Sequence, residues 1–289
     1  MGWFIPLIFF FVFGTASFLL RRYLAQRIPE DNTLTNLVFY VLFLLPAALL
    51  AGWLLPHGSL VPPPDVLFIL VLASLVWPFY FLASFRAAKD IDAGVLSLLT
   101  DMSAVVTLVL AYIVLGERLA LPQVIGVVCL IGSGAVAMWP DLRRSHTVKL
   151  LGIEMALVSL VLLGVGVVID KIALQRAEIG TYLLYTWGLQ AVWMAFISRK
   201  DIKRLPRFLS RHNPLRGKVL AYGAVGVLRS LAFSLALLFA VSPTTMNAGS
   251  NFLSITVIVA AFIFLGERSH IGYKLAGAVV GLLGLFLIM

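Results

Sequence analysis

The sequence predicts an all-α integral membrane protein: ten transmembrane helices arranged as two inverted five-helix repeats. Three observations carry that expectation. Of 289 residues, 61% are hydrophobic and only 12% are charged, and the apolar residues are gathered into long blocks. A soluble chain of this length does not read this way. Ten of the blocks approach the length needed to cross a bilayer, at roughly 3–20, 34–55, 66–85, 93–115, 122–139, 150–169, 181–197, 219–241, 244–265 and 271–288. Finally, Leu115-Gly116-Glu117-Arg118 recurs 150 residues later as Leu265-Gly266-Glu267-Arg268.

Taken in order, each block has its own reason to be a span. The first has no basic residue before it and Arg21-Arg22 directly after it. A signal peptide would carry its charges the other way round, so this block reads as a mature spanning helix. Between the second and third, Pro62-Pro63-Pro64 reads as a stiff outer loop. The third holds Trp77 and Tyr80 around Pro78, a residue able to bend a helix and free a backbone carbonyl. The fourth carries Ser97, Thr100, Asp101 and Thr107 on one helical face. Asp101 sits about 12 Å into a hydrocarbon layer about 30 Å thick. At that depth its cost is at least about 2–3 kcal/mol, so it faces a protein-lined or wet interior, or bonds a neighbouring helix.

The fifth block is glycine-rich, with Gly126, Gly132 and Gly134, and closes a first repeat over 1–140. A linker over 141–148 leads to the second repeat, 149–289. Glu154 lies one turn from the inner end of the sixth block, and Asp170 and Lys171 lie at its outer end, positions read as interfacial. Gln190 is one polar side chain in the seventh block. Residues 199–218 hold eight basic residues and one acidic residue, interleaved with Leu205, Phe208 and Leu209. That pattern suits an amphipathic segment on the inner leaflet or a solvated linker. Arg229 is near the middle of the eighth block, and Asn247, Ser250, Asn251 and Ser254 share one face of the ninth. Gly277 and Gly281 in the tenth allow close helix packing, which is taken to lie inside one chain.

The offset of 150 also places Gly14 on Gly164, Arg21 on Lys171, Leu24 on Leu174, Thr100 on Ser250 and Asp101 on Asn251. Because five spans is an odd number, the second half must cross in the opposite sense. Of the 22 Lys and Arg residues, eighteen fall in loops on one side and only Arg118, Lys171 and Arg176 in loops on the other. The positive-inside rule then puts both termini outside a cell membrane.

Two polar stripes, one per half, therefore face each other, and Ser97, Thr100, Asp101, Asn247, Ser250 and Asn251 become candidate substrate ligands. Arg229, whose repeat equivalent is Phe79, needs an anionic partner. Asp101 and a substrate carboxylate or phosphate are the two candidates. Trp77 and Tyr80 are candidate cavity walls, and Asp101 and Glu154 are candidate sites for a coupling proton or ion. Other chemistries lack their residues. All four histidines lie in or beside loops, no metal-ligand spacing occurs, and no GxxxxGK[ST] loop is present. No histidine is available beside the buried serines for hydrolysis, so an enzyme is not expected. Neither a metal nor a cofactor is expected. The +9 charge sits between spans, where it suits an anionic bilayer surface and not nucleic acid. A lone cysteine, Cys129, permits no intramolecular disulfide.

The doubled Leu-Gly-Glu-Arg motif after matching helices, each followed by a glycine-rich fifth helix, resembles the EamA domain of the drug/metabolite transporter superfamily over essentially the whole chain. The resemblance implies secondary transport by alternating access through a central cavity lined by both halves. It provides no universal substrate motif. Its members are usually described with both termini in the cytoplasm, whereas the loop charges here favour both outside. Together, resemblance and buried charges point to a carrier of a small polar or zwitterionic metabolite, such as an amino acid, as a monomer or homodimer. The alternatives are a multidrug or cation exporter, a lipid-linked sugar flippase, and a non-transporting assembly or sensor subunit.

Overall fold

The computed structural model describes all residues except 1–3, 29–31, 57, 59–60, 117–119, 144–146, 241, 268–269 and 289. Some side chains within helices, that of Asn251 among them, are also outside the described set. The described residues are helical almost throughout, and the helices fall where the apolar runs lie. In chain order they are α1 Phe4–Arg27, α2 Asn32–Leu37, α3 Leu45–Leu54, α4 Pro64–Asp90, α5 Ala93–Asp101, α6 Ser103–Leu115 and α7 Leu121–Arg143. There follow α8 Thr147–Arg176, α9 Ile179–Ile197, the single turn α10 Leu205–Phe208, α11 Arg216–Phe239, α12 Pro243–Asn251, α13 Leu253–Ala260 and α14 Ile271–Ile288. A π-helical segment, Val38–Leu44, joins α2 to α3, and another, Ala261–Leu265, extends α13.

Six of these helical stretches are long and apolar enough to cross a membrane: 4–27, 33–54, 64–90, 93–114, 150–176 and 216–239. Their surfaces agree with that role. Large apolar side chains such as Ile5, Trp53, Ile113, Val128, Phe264 and Phe286 point outward, while Asp101, Asp170, Arg21 and Arg229 are inside. A soluble protein has the reverse arrangement.

Expectations about helix ends need correcting. Arg21 and Arg22, assigned to a loop from the sequence, lie within α1 and are buried. Apolar Leu24 and Ala25 beyond them, both fully buried, carry the helix to Arg27. Likewise α8 runs past Asp170 and Lys171 to Arg176, so both residues are buried inside the protein. Helix ends also take up most of the expected linker 141–148, since α7 continues to Arg143 and α8 begins at Thr147. The basic stretch 199–218 forms short turns, with Phe208 tucked into the core and Arg204 and Arg207 outward.

Two helical rods are broken at positions 150 residues apart. Met102 separates α5 from α6 (φ −64°, ψ −12°) and Phe252 separates α12 from α13 (φ −58°, ψ −14°). At each break the amide bonds three residues back, Met102 N to Leu99 O at 3.1 Å and Phe252 N to Gly249 O at 3.4 Å. Both rods end on a left-handed glycine, Gly116 (φ 69°) and Gly266 (φ 67°), a conformation that other residues adopt only with strain. The packing partners exchange in the same way. α1 packs on α11 as α8 packs on α4, α5 on α13 as α12 on α6, and α7 packs on α14. That last contact is intramolecular and close. A side chain added at Gly277 or Gly284 would meet the Ser133 or Gly126 carbonyl at 2.8 or 2.7 Å.

Candidate functional site

Among these helices lies a cavity, about 740 Å3 of empty space counted out through its opening to solvent, walled by α1, α4, α5, α8, α9, α11, α12 and α13. It lies by the broken rods: α-helical hydrogen bonding is interrupted just after Asp101 and again just after Asn251, and Ser97, Thr100, Asp101, Ser250 and Ser254 line the cavity around those breaks. Aromatic side chains supply much of the wall, including Phe10, Phe18, Trp77, Tyr80, Phe81, Tyr182, Trp187 and Phe233.

Part of the cavity wall is built from acceptors. Ser97, Thr100 and Ser250 each donate their hydroxyl proton to their own helix, to Gly94 O, Leu96 O and Asn247 O, all at 2.8 Å. Their oxygens therefore remain available only as acceptors. Asp101 lines the same cavity, 3% exposed, with Ser254 hydrogen-bonded to its carboxyl group. Asp170, on α8, lines the same cavity at 1% exposure. Trp77 Nε1 donates to its Oδ2 at 2.9 Å, and Tyr182 also hydrogen-bonds this carboxyl group.

The same wall carries a buried cation. Arg229 faces the cavity from α11. Its guanidinium lies over Phe10, Phe18 and Phe81, with 5.8, 5.9 and 5.6 Å to the ring centroids, and interacts with Tyr80. Cation–π contact of this kind retains a buried charge without neutralising it. Arg229 thus turns to rings, and Asp101 to Ser254; the cavity keeps its opposite charges on separate supports.

Beyond the cavity, an ion cluster fastens the end of α1 to the start of α5. Arg22 Nε donates to Glu267 Oε1 and Arg22 Nη2 to Asp92 Oδ1, each at 3.1 Å. The same guanidinium caps α4 through Ala88 O (2.6 Å) and Lys89 O (3.0 Å). Lys274 Nζ reaches Asp92 Oδ2 at 2.9 Å, and Glu267 Oε1 accepts the Ala93 amide at 3.1 Å, capping α5. On α8, Lys171 Nζ donates to Leu237 O (3.0 Å), Leu238 O (3.4 Å) and Ala240 O (2.7 Å), covering the carbonyl end of α11.

The structure brings Asp101, Arg229, Ser97, Thr100, Ser250, Trp77 and Tyr80 together in the cavity wall. Asn247 is elsewhere. It is buried and donates to Thr107 Oγ1 at 2.6 Å and Ser103 Oγ at 3.2 Å, tying α12 to α6. The side chain of Asn251 is outside the described residues. Glu154 is exposed on α8 and takes no part in the cavity wall. Sequence reasoning missed Asp170 and Ser230 as wall residues, and ranked Tyr182, Trp187 and Gln190, all possible from the sequence, below Trp77 and Tyr80. The signal for Asp170 was the apolar pattern continuing through Ala173 and Leu174, which lengthens the helix and draws the carboxyl group inward.

Helices with apolar outer faces around a polar interior define a multi-pass membrane protein. Residues 1–139 match the model of the EamA-like transporter family. That match, over the first half of the chain, indicates a membrane transporter of the drug/metabolite type. Comparison with curated proteins gave no match. Among solved structures, one titled only "Crystal structure of protein" is similar to this chain at 17% identity and a TM-score of 0.57, covering 97% of this chain and 99% of that one. That likeness concerns the fold over the full length.

Proposed function

We propose that this chain is a secondary transporter that moves a small polar or zwitterionic metabolite, an amino acid or related compound, by alternating access. One observation carries the reading: the wall of a single cavity holds both Asp101, among hydroxyl acceptors, and Arg229, over aromatic rings. An ammonium group suits the acceptors and a carboxylate the guanidinium. The machine would be ten helices in two inverted halves, 1–140 and 149–289, in a cell membrane with both termini outside. Matching breaks at Met102 and Phe252, matching glycines at Gly116 and Gly266, and the exchanged packing partners support it. Discontinuous helices at a repeat interface are where such folds hold substrate. Asp101 is the candidate for a coupling proton.

A second reading, an exporter of lipophilic cations, draws support from Asp170 standing beside Trp77, Tyr182 and Trp187 in the wall. Thermal stabilisation by a varied solute set separates the two, because a ligand that binds the native state raises its apparent stability. Zwitterions should stabilise the wild type and neither Asp101→Asn nor Arg229→Gln. Stabilisation by lipophilic cations alone, unchanged in Arg229→Gln, would replace the first reading with the second.

A further inference from the structure

Behind Arg229 stands a second guanidinium that the zwitterion reading does not use. Arg21 is fully buried on α1, and its Nη1 donates to Ser84 Oγ. Its guanidinium lies over Phe18 and Phe81, two of the rings that Arg229 also faces, at 5.1 and 5.2 Å. Tyr40, Tyr80 and Tyr222 each interact electrostatically with both arginines. Arg21 Nε and Nη2, Arg229 Nη1 and all three tyrosine hydroxyls have no hydrogen-bond partner within 3.5 Å among the described residues; Tyr80 reaches both guanidinium groups, and Tyr222 that of Arg21, only through longer contacts. None of these five residues is more than 7% exposed. Among the described residues, no carboxylate forms an ion pair with either arginine.

Two buried like charges without a counter-ion are costly, and aromatic faces offset only part of that. Unmet donors converge from α1, the π-helical segment 38–44, α4 and α11. A carboxylate offers two oxygens in one plane and is served by a single guanidinium fork. A phosphoryl group carries close to two negative charges and three acceptor oxygens, and so matches two cations with hydroxyls around them. We infer that the anionic end of the substrate is a phosphoryl or phosphonyl dianion. Arg229 and Tyr80 contact it at the cavity wall, and Arg21, Tyr40 and Tyr222 stand behind as the second charge and its donors. This deepens the transporter reading and rests on it.

Calorimetric titration of the full chain in nanodiscs with 2-aminoethylphosphonate and with β-alanine, which differ only in the acid group, tests it. The phosphonate should bind at least about tenfold tighter, since one tenfold step corresponds to about 1.4 kcal/mol. Tyr222→Phe and Tyr40→Phe, which remove a hydroxyl and keep the ring, should narrow that preference, and Arg229→Gln should abolish binding. Dihexanoylphosphatidic acid is the arm for a lipid-borne phosphate. Tight binding of that probe with weak aminoethylphosphonate binding keeps the phosphoryl site and assigns it to a lipid. Equal affinity for β-alanine and the phosphonate, or a preference untouched by both tyrosine variants, would overturn the inference and leave the zwitterion carrier standing. Phosphonate binding without flux in proteoliposomes would do the opposite, and no binding by any probe at millimolar concentration would overturn both.

Discussion

Arg22 and Glu267, separated by 245 positions in the sequence, form an ion pair at 3.1 Å. The same Glu267 oxygen accepts the first amide of α5. The carboxylate of the second Leu-Gly-Glu-Arg motif therefore closes a cluster with Arg22, Asp92 and Lys274, in which only Asp92 is appreciably exposed. Removing one member of a buried pair typically costs about 3–5 kcal/mol. Glu267→Ala should lower the thermal unfolding midpoint clearly, and Glu267→Gln, which retains an acceptor for Ala93, should lower it less. Unfolding followed by intrinsic fluorescence in detergent checks the order.

Lys171→Met keeps the stem of the side chain and leaves three carbonyls at the end of α11 without their donor. A loss of about 1–3 kcal/mol follows from the unmet acceptors and the uncompensated helix end. The variant should show faster amide exchange confined to the last turn of α11, measured by mass spectrometry.

Asn247 and Ser250 share a helix face and serve different tasks. Asn247→Leu removes the donor to Thr107 and Ser103, and should cost about 1–3 kcal/mol of stability. Ser250→Ala should leave stability nearly unchanged and weaken solute binding, because Ser250 lines the cavity. Unfolding midpoints and titration of the two variants side by side provide the comparison.

Trp77→Phe retains an aromatic wall and removes the indole N–H that holds Asp170 at 2.9 Å. Hydrogen bonds to charged acceptors contribute about 1.5–3 kcal/mol, so on the exporter reading, in which Asp170 faces the solute, affinity for a lipophilic cation should fall by about tenfold or more. Ring substitution by itself predicts little change, and titration decides between the two.

Much of this was legible because lipid imposes simple requirements. Apolar runs had to be helices, and the polar positions Ser97, Thr100, Asp101 and Ser250 had to turn inward together. What the sequence concealed were charges at helix ends. Arg21 and Asp170 follow long apolar runs and look interfacial, yet α1 and α8 each continue about two more turns past them, and burial of Leu24, Ala25 and Ala173 draws them inside. Asn247 looked like a substrate ligand because a polar face in a membrane helix serves packing as readily as binding, and only the distance to Thr107 separates the two. The break after Asp101 has no proline or glycine to mark it; Met102 occupies that position.

The central claim is that Asp101 and Arg229 hold opposite ends of one transported solute. Solute flux into proteoliposomes, compared for wild type, Asp101→Asn and Arg229→Gln, tests it most directly. The account predicts flux of a small zwitterionic solute by the wild type and at least about a tenfold loss in each variant, with folding retained. Undiminished flux in both variants would contradict it.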